Sequence, residues 1–213
     1  LQGRQGEVRQ EKDAGGRWIP LADRQGLAVE NGDDLILTLD KTLQHEVERI
    51  LADSVEKYGA SGASAIVMDP KTGRILAMAN TPTFDPNEYR KVEDYTAFLN
   101  QNVTFAYEPG SIMKPLTMAF GIEEGKVTPD STYVDTGVIN IAGFDIHNAE
   151  EKSYGLSNMY KVLDESINTG VIHVEQLVGN TKFKEYMERL GFGEKTGITL
   201  PAEAPGDLRN LEN

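Results

Sequence analysis

Residues 107 to 115 read Tyr107-Glu108-Pro109-Gly110-Ser111-Ile112-Met113-Lys114-Pro115. Proline and glycine interrupt regular structure just before Ser111, and the residues after it predict a helix from Ser111 to about Glu124, ended by Gly125. Ser111 therefore lies at a junction of loop and helix, where backbone N–H groups have no partner inside the helix. Because Pro115 cannot donate a backbone hydrogen bond, we expect the first helical turn to be irregular.

Ser111 and Lys114 lie three positions apart, which places both side chains on one face of the predicted helix. A serine hydroxyl is a poor nucleophile at its ordinary pKa, so acyl transfer without histidine needs another base within hydrogen-bond reach. A lysine serves as that base when burial lowers its pKa towards the working pH. The helix N-terminus adds a positive end near the oxygen on which charge develops. We therefore interpret Ser111 as a nucleophile and Lys114 as its base.

The S-x-x-K pattern also occurs at residues 54 to 57, so the pattern alone is a weak indicator. Ser54 lies near the end of a predicted amphipathic helix that Asp40 caps. The apolar face of that helix is predicted to contain Leu43, Val47, Ile50, Leu51 and Tyr58. A serine in such a helix usually bonds the carbonyl of the preceding turn, so we assign Ser54 a structural role.

The composition restricts the possible partners and chemistry. The 213 residues include 34 acidic and 21 basic side chains, and the net charge of −13 argues against nucleic acid as a partner. Cysteine is absent, which excludes disulfides, thiolate zinc sites and cysteine nucleophiles. The three histidines, His45, His147 and His173, show no metal-ligand spacing, so we expect neither a metal nor another cofactor. No apolar run approaches the roughly 18 residues that cross a bilayer.

The remaining segments carry alternating strand and helix signals. Their periodicity and turn residues predict short strands and connectors over 1–33, a strand over 34–39, a β-hairpin with strands 63–68 and 74–79, a partly helical segment over 88–100, a loop-rich stretch from 125 to about 155, a helix from 159 to about 177 and a short helix over 181–190. A domain is predicted to begin near residue 34.

The segment from Tyr107 to Pro115 closely resembles the signature around the active serine of class B penicillin-binding proteins. Further landmarks of that family follow in the same order along most of the chain: Leu37-Thr38-Leu39-Asp40 with Gln44, Gly73-Arg74-Ile75-Leu76-Ala77-Met78-Ala79, and Phe84-Asp85-Pro86-Asn87. The resemblance implies an α+β fold, an antiparallel sheet of five strands flanked by helices, of which this chain would hold the first hairpin and most of the helical side. It assigns residues 1–33 to the end of an N-terminal pedestal module and residues 34–213 to the transpeptidase domain.

The second motif of the family, S-x-N, is matched by Ser166-Ile167-Asn168, 55 positions after Ser111. By resemblance, Ser166 would relay a proton between Lys114 and the leaving amine. Asn168 would orient Lys114 and a substrate amide. Without the serine signature, the same residues would be interpreted as polar positions of a helix that face solvent.

The third motif of the family is a lysine, a serine or threonine and a glycine on a strand that lines the pocket. Two segments match it: Lys71-Thr72-Gly73 in the predicted hairpin turn, and Lys195-Thr196-Gly197 in a segment that resembles a different landmark of the family. The true motif normally lies much further downstream, and 45 residues follow Asn168. We therefore expect the C-terminal part of the transpeptidase domain to lie outside this chain, and the isolated chain to be inactive.

The resemblance implies a peptidoglycan D,D-transpeptidase. Ser111 would attack the D-alanyl-D-alanine bond of a stem peptide, release D-alanine and pass the acyl group to an amine of a neighbouring strand, and β-lactams would acylate the same serine. The implied location is the extracytoplasmic face of the bacterial cell membrane, with a membrane glycosyltransferase as partner and the anchor outside this chain. The implied roles are in cell-wall synthesis during cell elongation or division.

Two alternatives of different classes stay open at this point. A serine β-lactamase or a β-lactam sensor shares S-x-x-K and S-x-N, although residues 1–33 and the segment 84–87 favour the synthase. The chain could instead be a non-catalytic scaffold fragment. Deacylation of bound penicillin discriminates the first alternative, and penicillin binding itself discriminates the second.

Overall fold

The computed structural model describes residues 2–9, 12, 14–17 and 25–211. The chain divides into two compact units, Leu1–Pro82 and Thr83–Asn213. In the first unit, strand β1 (Glu7–Arg9) pairs antiparallel with β2 (Gln25–Leu27), which confirms short strands in this part of the chain. Residues 1, 10, 11, 13 and 18–24 of the predicted connector segment lie outside the described residues. The assignment of residues 1–33 to a pedestal module stays a prediction.

Helix α1 (Lys41–Tyr58) begins where the sequence predicts. The Asp40 carboxylate accepts a hydrogen bond from the Leu43 backbone N–H at 2.9 Å, because the first N–H groups of a helix lack intrahelical partners. Three residues of the predicted apolar face are half-buried: Leu43, Val47 and Leu51. Two others are exposed: Ile50 and Tyr58. The apolar face is therefore narrower than predicted.

The predicted β-hairpin is confirmed. Strand β3 (Ala63–Met68) pairs antiparallel with β4 (Ile75–Thr81). The Asp69 carboxylate holds the turn by accepting hydrogen bonds from the Lys71 N–H at 3.0 Å and the Thr72 hydroxyl at 2.6 Å. Gly73 has a φ of +72°, which a residue with a Cβ rarely adopts.

The predicted strand over residues 34–39 is wrong, because this segment forms no ladder with a neighbour. Only its end meets β4, where the Thr38 hydroxyl donates to the Ile75 carbonyl at 2.5 Å and the Asp40 N–H donates to the Leu76 carbonyl at 2.8 Å. Ile36 is 93% exposed, so the alternation of apolar residues reflects no buried face. Alternation alone does not supply the strand partner that a sheet needs.

The second unit opens with short helical turns. Two 3₁₀ turns (Pro86–Lys91 and Tyr95–Phe98) precede helix α2 (Gln101–Thr104), which confirms that residues 88–100 are partly helical. A further 3₁₀ turn (Gly110–Met113) leads directly into helix α3 (Lys114–Glu123). The irregular first turn that Pro115 predicts is therefore confirmed.

The segment predicted to be loop-rich, 125 to about 155, contains strands, so that prediction is wrong. They are β5 (Thr132–Asp135), β6 (Val138–Ile141), β7 (Phe144–His147) and β8 (Gly155–Asn158). Strands β6 and β7 form an antiparallel hairpin over Ala142 and Gly143, both with positive φ, and β5 pairs antiparallel with β8. Each strand has only four residues, too few for its alternation to be distinguished from a loop.

The single helix predicted from 159 to about 177 is also wrong. The structure has two helices instead, α4 (Met159–Asp164) and α5 (Asn168–Val178), interrupted at residues 165–167. Helix α6 (Asn180–Arg189) follows and confirms the last predicted helix.

Helices α3, α4 and α5 enclose the main apolar core of the second unit. Its buried members are Met118, Val127, Met159, Val162 and Val174. Gly121 allows α3 and α5 to approach closely, because a Cβ there would lie 2.5 Å from Cγ1 of Val174. A second cluster joins α3 to α6, where the rings of Phe120 and Tyr186 stack with centroids 4.6 Å apart.

The strand pairs of the described residues are all antiparallel, and they combine with these helices in an α+β fold, as predicted. Across residues 2–9, 12, 14–17 and 25–211, no helix combines the length and apolar character that a membrane span requires.

Candidate active site

Pro115 determines the geometry at the start of α3. In an α-helix the carbonyl of Ser111 would accept the N–H of residue 115, but proline has no N–H. The Ser111 carbonyl accepts the Lys114 N–H instead, which closes a 3₁₀ turn. A 3₁₀ helix has three residues per turn, so side chains at positions i and i+3 eclipse. Proline thereby aligns Ser111 and Lys114 along one edge of the helix.

Ser111 is exposed, and its hydroxyl has no hydrogen-bond partner within the part of the chain that the structure describes. As the second residue of the 3₁₀ turn, Ser111 also has a backbone N–H for which helix geometry supplies no acceptor. A nucleophile that must reach a substrate needs such an open position. Ser54, the alternative serine, is half-buried on α1, and the described residues give its hydroxyl no partner either, so the predicted bond to the preceding turn is not observed.

The side chain of Lys114 connects α3 to the S-x-N segment. Its Nζ lies 2.6 Å from the carbonyl oxygen of Ser166, 2.9 Å from the Ser166 hydroxyl and 2.6 Å from Oδ1 of Asn168. The structure therefore brings Lys114, Ser166 and Asn168 together, across more than fifty positions of sequence. Lys114 follows the 3₁₀ turn that contains Ser111, but among the described residues no hydrogen bond joins the Ser111 hydroxyl to the Lys114 amine.

Ser166 lies in the break between α4 and α5 with a φ of +52°, in the left-handed region that non-glycine residues rarely adopt. The neighbouring Ile167 is fully buried and its N–H bonds the Val162 carbonyl at 2.9 Å, which holds the strained residue in place. In this conformation both the carbonyl and the hydroxyl of Ser166 point at Lys114. A continuous helix would have used the carbonyl for its own ladder.

Asn168 is held at both ends of its side-chain amide. Its Oδ1 accepts from Lys114, and its Nδ2 donates to the backbone carbonyl of His147 at 2.8 Å. The carbonyl partner identifies the nitrogen end of the amide, because a carbonyl oxygen can only accept. Oδ1 therefore faces the lysine.

Partial burial lowers the pKa of the Lys114 amine below the ordinary lysine value. A neutral amine has two N–H donors and one lone pair. Its surroundings match that set, because the Ser166 carbonyl and Asn168 Oδ1 can only accept, whereas the Ser166 hydroxyl can donate. The charged form could also donate to all three oxygens, so the site accommodates the lysine before and after it takes up a proton.

Neither of the two Lys-Thr-Gly segments lies on a strand. The first forms the turn between β3 and β4. In the second, the Glu203 carboxylate accepts hydrogen bonds from the hydroxyl of Thr196 at 2.6 Å and its N–H at 2.7 Å, within an irregular segment. The expectation that Lys195 is not the lysine of the pocket strand is consistent with this geometry.

Sequence reasoning missed three residues directly behind the site: Asp135, Asn148 and Thr169. All three are buried, and hydrogen bonds join them to one another and to the start of α5. Asp135 and Asn148 lie in the segment that the sequence predicts to be loop-rich, and Thr169 is a single polar position within the predicted helix from 159 to about 177. The available signal was the turn sequence Asp135-Thr136-Gly137 after an alternating Thr-Tyr-Val run. Among the described residues no group of three His, Asp or Glu side chains could hold a metal ion.

Comparison with known proteins identifies relatives of this chain. Residues 63–213 match the family described as the penicillin binding protein transpeptidase domain. Stage V sporulation protein D of Bacillus subtilis is 34% identical over 213 residues, which is 100% of this chain and 33% of that protein. The peptidoglycan D,D-transpeptidase MrdA of Escherichia coli K12 is 32% identical over 194 residues, or 85% of this chain and 30% of that protein. The chain thus spans about a third of the length of these relatives.

A solved structure shares the architecture as well as part of the sequence. The crystal structure of a peptidoglycan glycosyltransferase from Burkholderia ambifaria superposes with a TM-score of 0.71 and 26% identity, covering 83% of this chain and 51% of that one. The family match covers well over half of the chain, from the start of the β3–β4 hairpin to residue 213. The chain belongs to the penicillin-binding protein transpeptidase family.

Proposed function

We propose that this chain carries the residues that form the acyl-enzyme of a peptidoglycan D,D-transpeptidase, with Ser111 as nucleophile. The observation that supports this most is the convergence of Ser166 and Asn168 on the half-buried amine of Lys114, one 3₁₀ turn after the open hydroxyl of Ser111. Relatives named as peptidoglycan D,D-transpeptidases are consistent with this reaction.

In the proposed reaction, the lone pair of the neutral Lys114 amine turns from the Ser166 hydroxyl to the Ser111 hydroxyl and takes its proton as Oγ bonds to the carbonyl carbon of the penultimate D-alanine. The Ser111 N–H donates to the oxyanion that forms. The carbon–nitrogen bond then breaks, and the terminal D-alanine leaves with the proton that Lys114 passes through the Ser166 hydroxyl. An amine of a neighbouring stem peptide then attacks the ester carbonyl carbon and loses a proton to the same relay. The bond between that carbon and Ser111 Oγ breaks, and Lys114 returns a proton to Oγ. Asn168 holds Lys114 and offers its amide to the substrate backbone.

We further propose that the 213-residue chain by itself acylates slowly. Neither Lys-Thr-Gly segment forms a strand, so we infer that the pocket strand implied by the family resemblance, with the second oxyanion donor and the carboxylate-binding lysine, is not among the described residues. The loss of one oxyanion donor typically removes roughly 2.7 to 4 kcal/mol of transition-state stabilisation. Adding the downstream segment should restore rapid acylation, whereas rapid stoichiometric labelling of the chain alone would contradict this proposal.

The proposed partners follow from the reaction. They are peptidoglycan stem peptides as substrates, β-lactams as inhibitors that acylate Ser111, and a membrane glycosyltransferase that supplies the glycan strands. A reaction on peptidoglycan takes place on the extracytoplasmic face of the bacterial membrane, which is the location that we propose, with roles in cell elongation or division.

The test is covalent labelling of the full-length protein with a fluorescent penicillin. Ser111→Ala should abolish labelling, whereas Ser54→Ala, which alters the other S-x-x-K serine, should leave it unchanged. Labelling that survives in Ser111→Ala would refute the assignment of the nucleophile. The acyl-enzyme should also persist, since rapid release of the label would identify a β-lactamase, and a complete lack of labelling in the unaltered protein would identify a scaffold.

A further inference from the structure

Asp135, the last residue of β5, is a carboxylate buried behind the S-x-N segment with an exposed fraction of 2%. It accepts hydrogen bonds from the hydroxyl of Thr169 at 2.6 Å, from the N–H groups of Tyr154 at 2.7 Å and Gly137 at 3.0 Å, and from Nδ2 of Asn148 at 3.0 Å. Burial alone would raise the pKa of Asp135, but these hydrogen bonds together outweigh it and keep the pKa below the usual value. The buried group is therefore a charged, fully hydrogen-bonded carboxylate.

Helix α5 begins without a side-chain cap of its own, because its N-cap residue is Ile167. Isoleucine cannot accept a hydrogen bond through its side chain, so the first N–H groups of the helix need acceptors from elsewhere. Oδ1 of Asn148 accepts the Thr169 N–H at 3.1 Å, and the Thr169 hydroxyl donates to Asp135. The negative charge of Asp135 also lies at the positive end of the α5 dipole, where it is stabilising. Residues of the β5–β8 region thus replace the missing cap.

The same cap controls Asn168, the residue before Thr169. The backbone of Asn168 is fixed on one side by the buried Ile167 and on the other by the bonds of Thr169. Its side-chain amide bonds the carbonyl of His147, the residue before Asn148. Hydrogen bonds therefore attach both the side chain of Asn168 and the backbone beside it to residues 147 and 148, and Asp135 holds this segment by its hydrogen bond to Asn148.

We propose that Asp135, Asn148 and Thr169 form a tertiary N-cap that positions Asn168, and through it the Lys114 amine, for acyl transfer. Asp135 and Asn148 are positioning residues in this arrangement, since neither contacts Lys114 or Ser111. Only the expected effect of this cap on the acylation rate rests on the proposed function. The cap itself is a property of the fold and can be tested without any reaction.

A measurement on the unaltered full-length protein tests the cap first. By NMR, the Thr169 N–H and the side-chain amide protons of Asn168 should exchange with solvent at least about tenfold more slowly than exposed amides, although both belong to the first turn of a helix. The exposed side chain of Asn210, whose amide has no hydrogen-bond partner among the described residues, provides an internal reference. Exchange of Thr169 and Asn168 at the rate of exposed amides would overturn the proposal, and this experiment requires no variant and no activity.

Variants of Thr169 then test its effect on the site. Thr169→Val keeps the shape but removes the hydroxyl that bonds Asp135, so the Asn168 amide should lose protection and penicillin acylation of the full-length protein should fall on the order of 100-fold, as small displacements of catalytic groups do. Thr169→Ser restores the hydroxyl and should restore both readouts. Tyr133→Phe is the matched control, because it removes only the 3.2 Å contact of the Tyr133 hydroxyl with Thr169.

The outcomes separate the two proposals. If the unaltered full-length protein is not acylated, the proposed function fails, while the exchange data still decide the cap. If acylation is rapid and Thr169→Val retains both the acylation rate and the protection of Asn168, the positioning role is wrong. A Thr169→Ser variant that behaves like Thr169→Val would also overturn it, since the hydroxyl would then not be the group that matters.

Discussion

Replacement of Lys114 by arginine tests the proton chemistry most directly. Arginine keeps the positive charge and can still donate to the Ser166 carbonyl and to Oδ1 of Asn168, so the contacts at 2.6 Å that join α3 to the S-x-N segment have a donor. A guanidinium has a pKa above about 12 and no lone pair to offer, so it cannot take a proton from Ser111. The variant therefore removes the base while retaining most of the electrostatics.

The expected loss is the contribution of general base catalysis, about 100-fold to 10,000-fold in the acylation rate. Since each tenfold corresponds to about 1.36 kcal/mol, the activation barrier should rise by about 2.7 to 5.4 kcal/mol. The free energy of unfolding should change by less than about 1 kcal/mol, because the site is half-exposed and its hydrogen bonds are retained. These two magnitudes differ enough for kinetics and stability to be separated in one preparation.

The assay is a time course of fluorescent penicillin labelling in the full-length protein, with thermal unfolding measured on the same samples. Lys182→Arg is the control, because Lys182 lies on α6, half-exposed and paired with Glu185, and the same chemical change there should leave labelling unaltered. An acylation rate for Lys114→Arg within about threefold of the unaltered protein would remove Lys114 from the mechanism. A loss that accompanies unfolding would show as a lowered melting temperature instead.

Three further results are expected. The acylation rate should increase with pH up to an inflection below the ordinary lysine pKa of about 10.4, because burial lowers the pKa of Lys114 and only its neutral form is a base. In a pH series the Lys114→Arg variant should lack this inflection. The same pH profile for the variant and the unaltered protein would contradict the assignment of Lys114 as the base. In denaturant unfolding, Ser166→Gly should be about 1 to 2 kcal/mol more stable than Ser166→Ala, since only alanine carries the cost of a positive φ and both variants lose the serine hydroxyl. Equal free energies of unfolding for the two variants would mean that the backbone of residue 166 stores no strain. Gly121→Ala should lower the free energy of unfolding by up to about 2 kcal/mol, because the overpacking against Val174 is only partly offset by the better helix propensity of alanine. The double variant with Val174→Ala should lose less stability than the sum of the two single variants. Strict additivity of the unfolding free energies would exclude the clash.

The sequence predicts the start of α3 well because the deciding effects are local. Pro109 and Gly110 break the chain, and Pro115 withholds one N–H, so the irregular first turn follows from residues within six positions of one another. The Asp40 cap and the Asp69 turn are local in the same sense, and both are confirmed. The placement of two side chains within one helical turn, as for Ser111 and Lys114, can therefore be inferred from the local sequence.

The break between α4 and α5 could not be predicted, because nothing in the local sequence requires it. Ser166 is neither glycine nor proline, and the apolar spacing from Met159 to Leu177 suits a continuous helix. What stabilises the break is non-local: the burial of Ile167 in the unit and the acceptors that Asn148 and Asp135 supply to the start of α5. Tertiary contacts of this kind override helix propensity, and no window of sequence contains them.

Three departures from local regularity lie at the candidate site of this unit. The 3₁₀ turn at Ser111 exists because a proline removes one helical bond, and the left-handed Ser166 frees a carbonyl and a hydroxyl that a helix would have directed elsewhere. Helix α5 starts at an isoleucine that cannot cap it, and the acceptors arrive from a strand and a turn instead. A sequence selected for stability alone would have avoided each of these features, because each one costs free energy locally. Their convergence on one lysine amine supports the proposed role of Lys114 as a base, and under that proposal the buried residues behind Asn168 contribute to acyl transfer together with the residues that face the substrate.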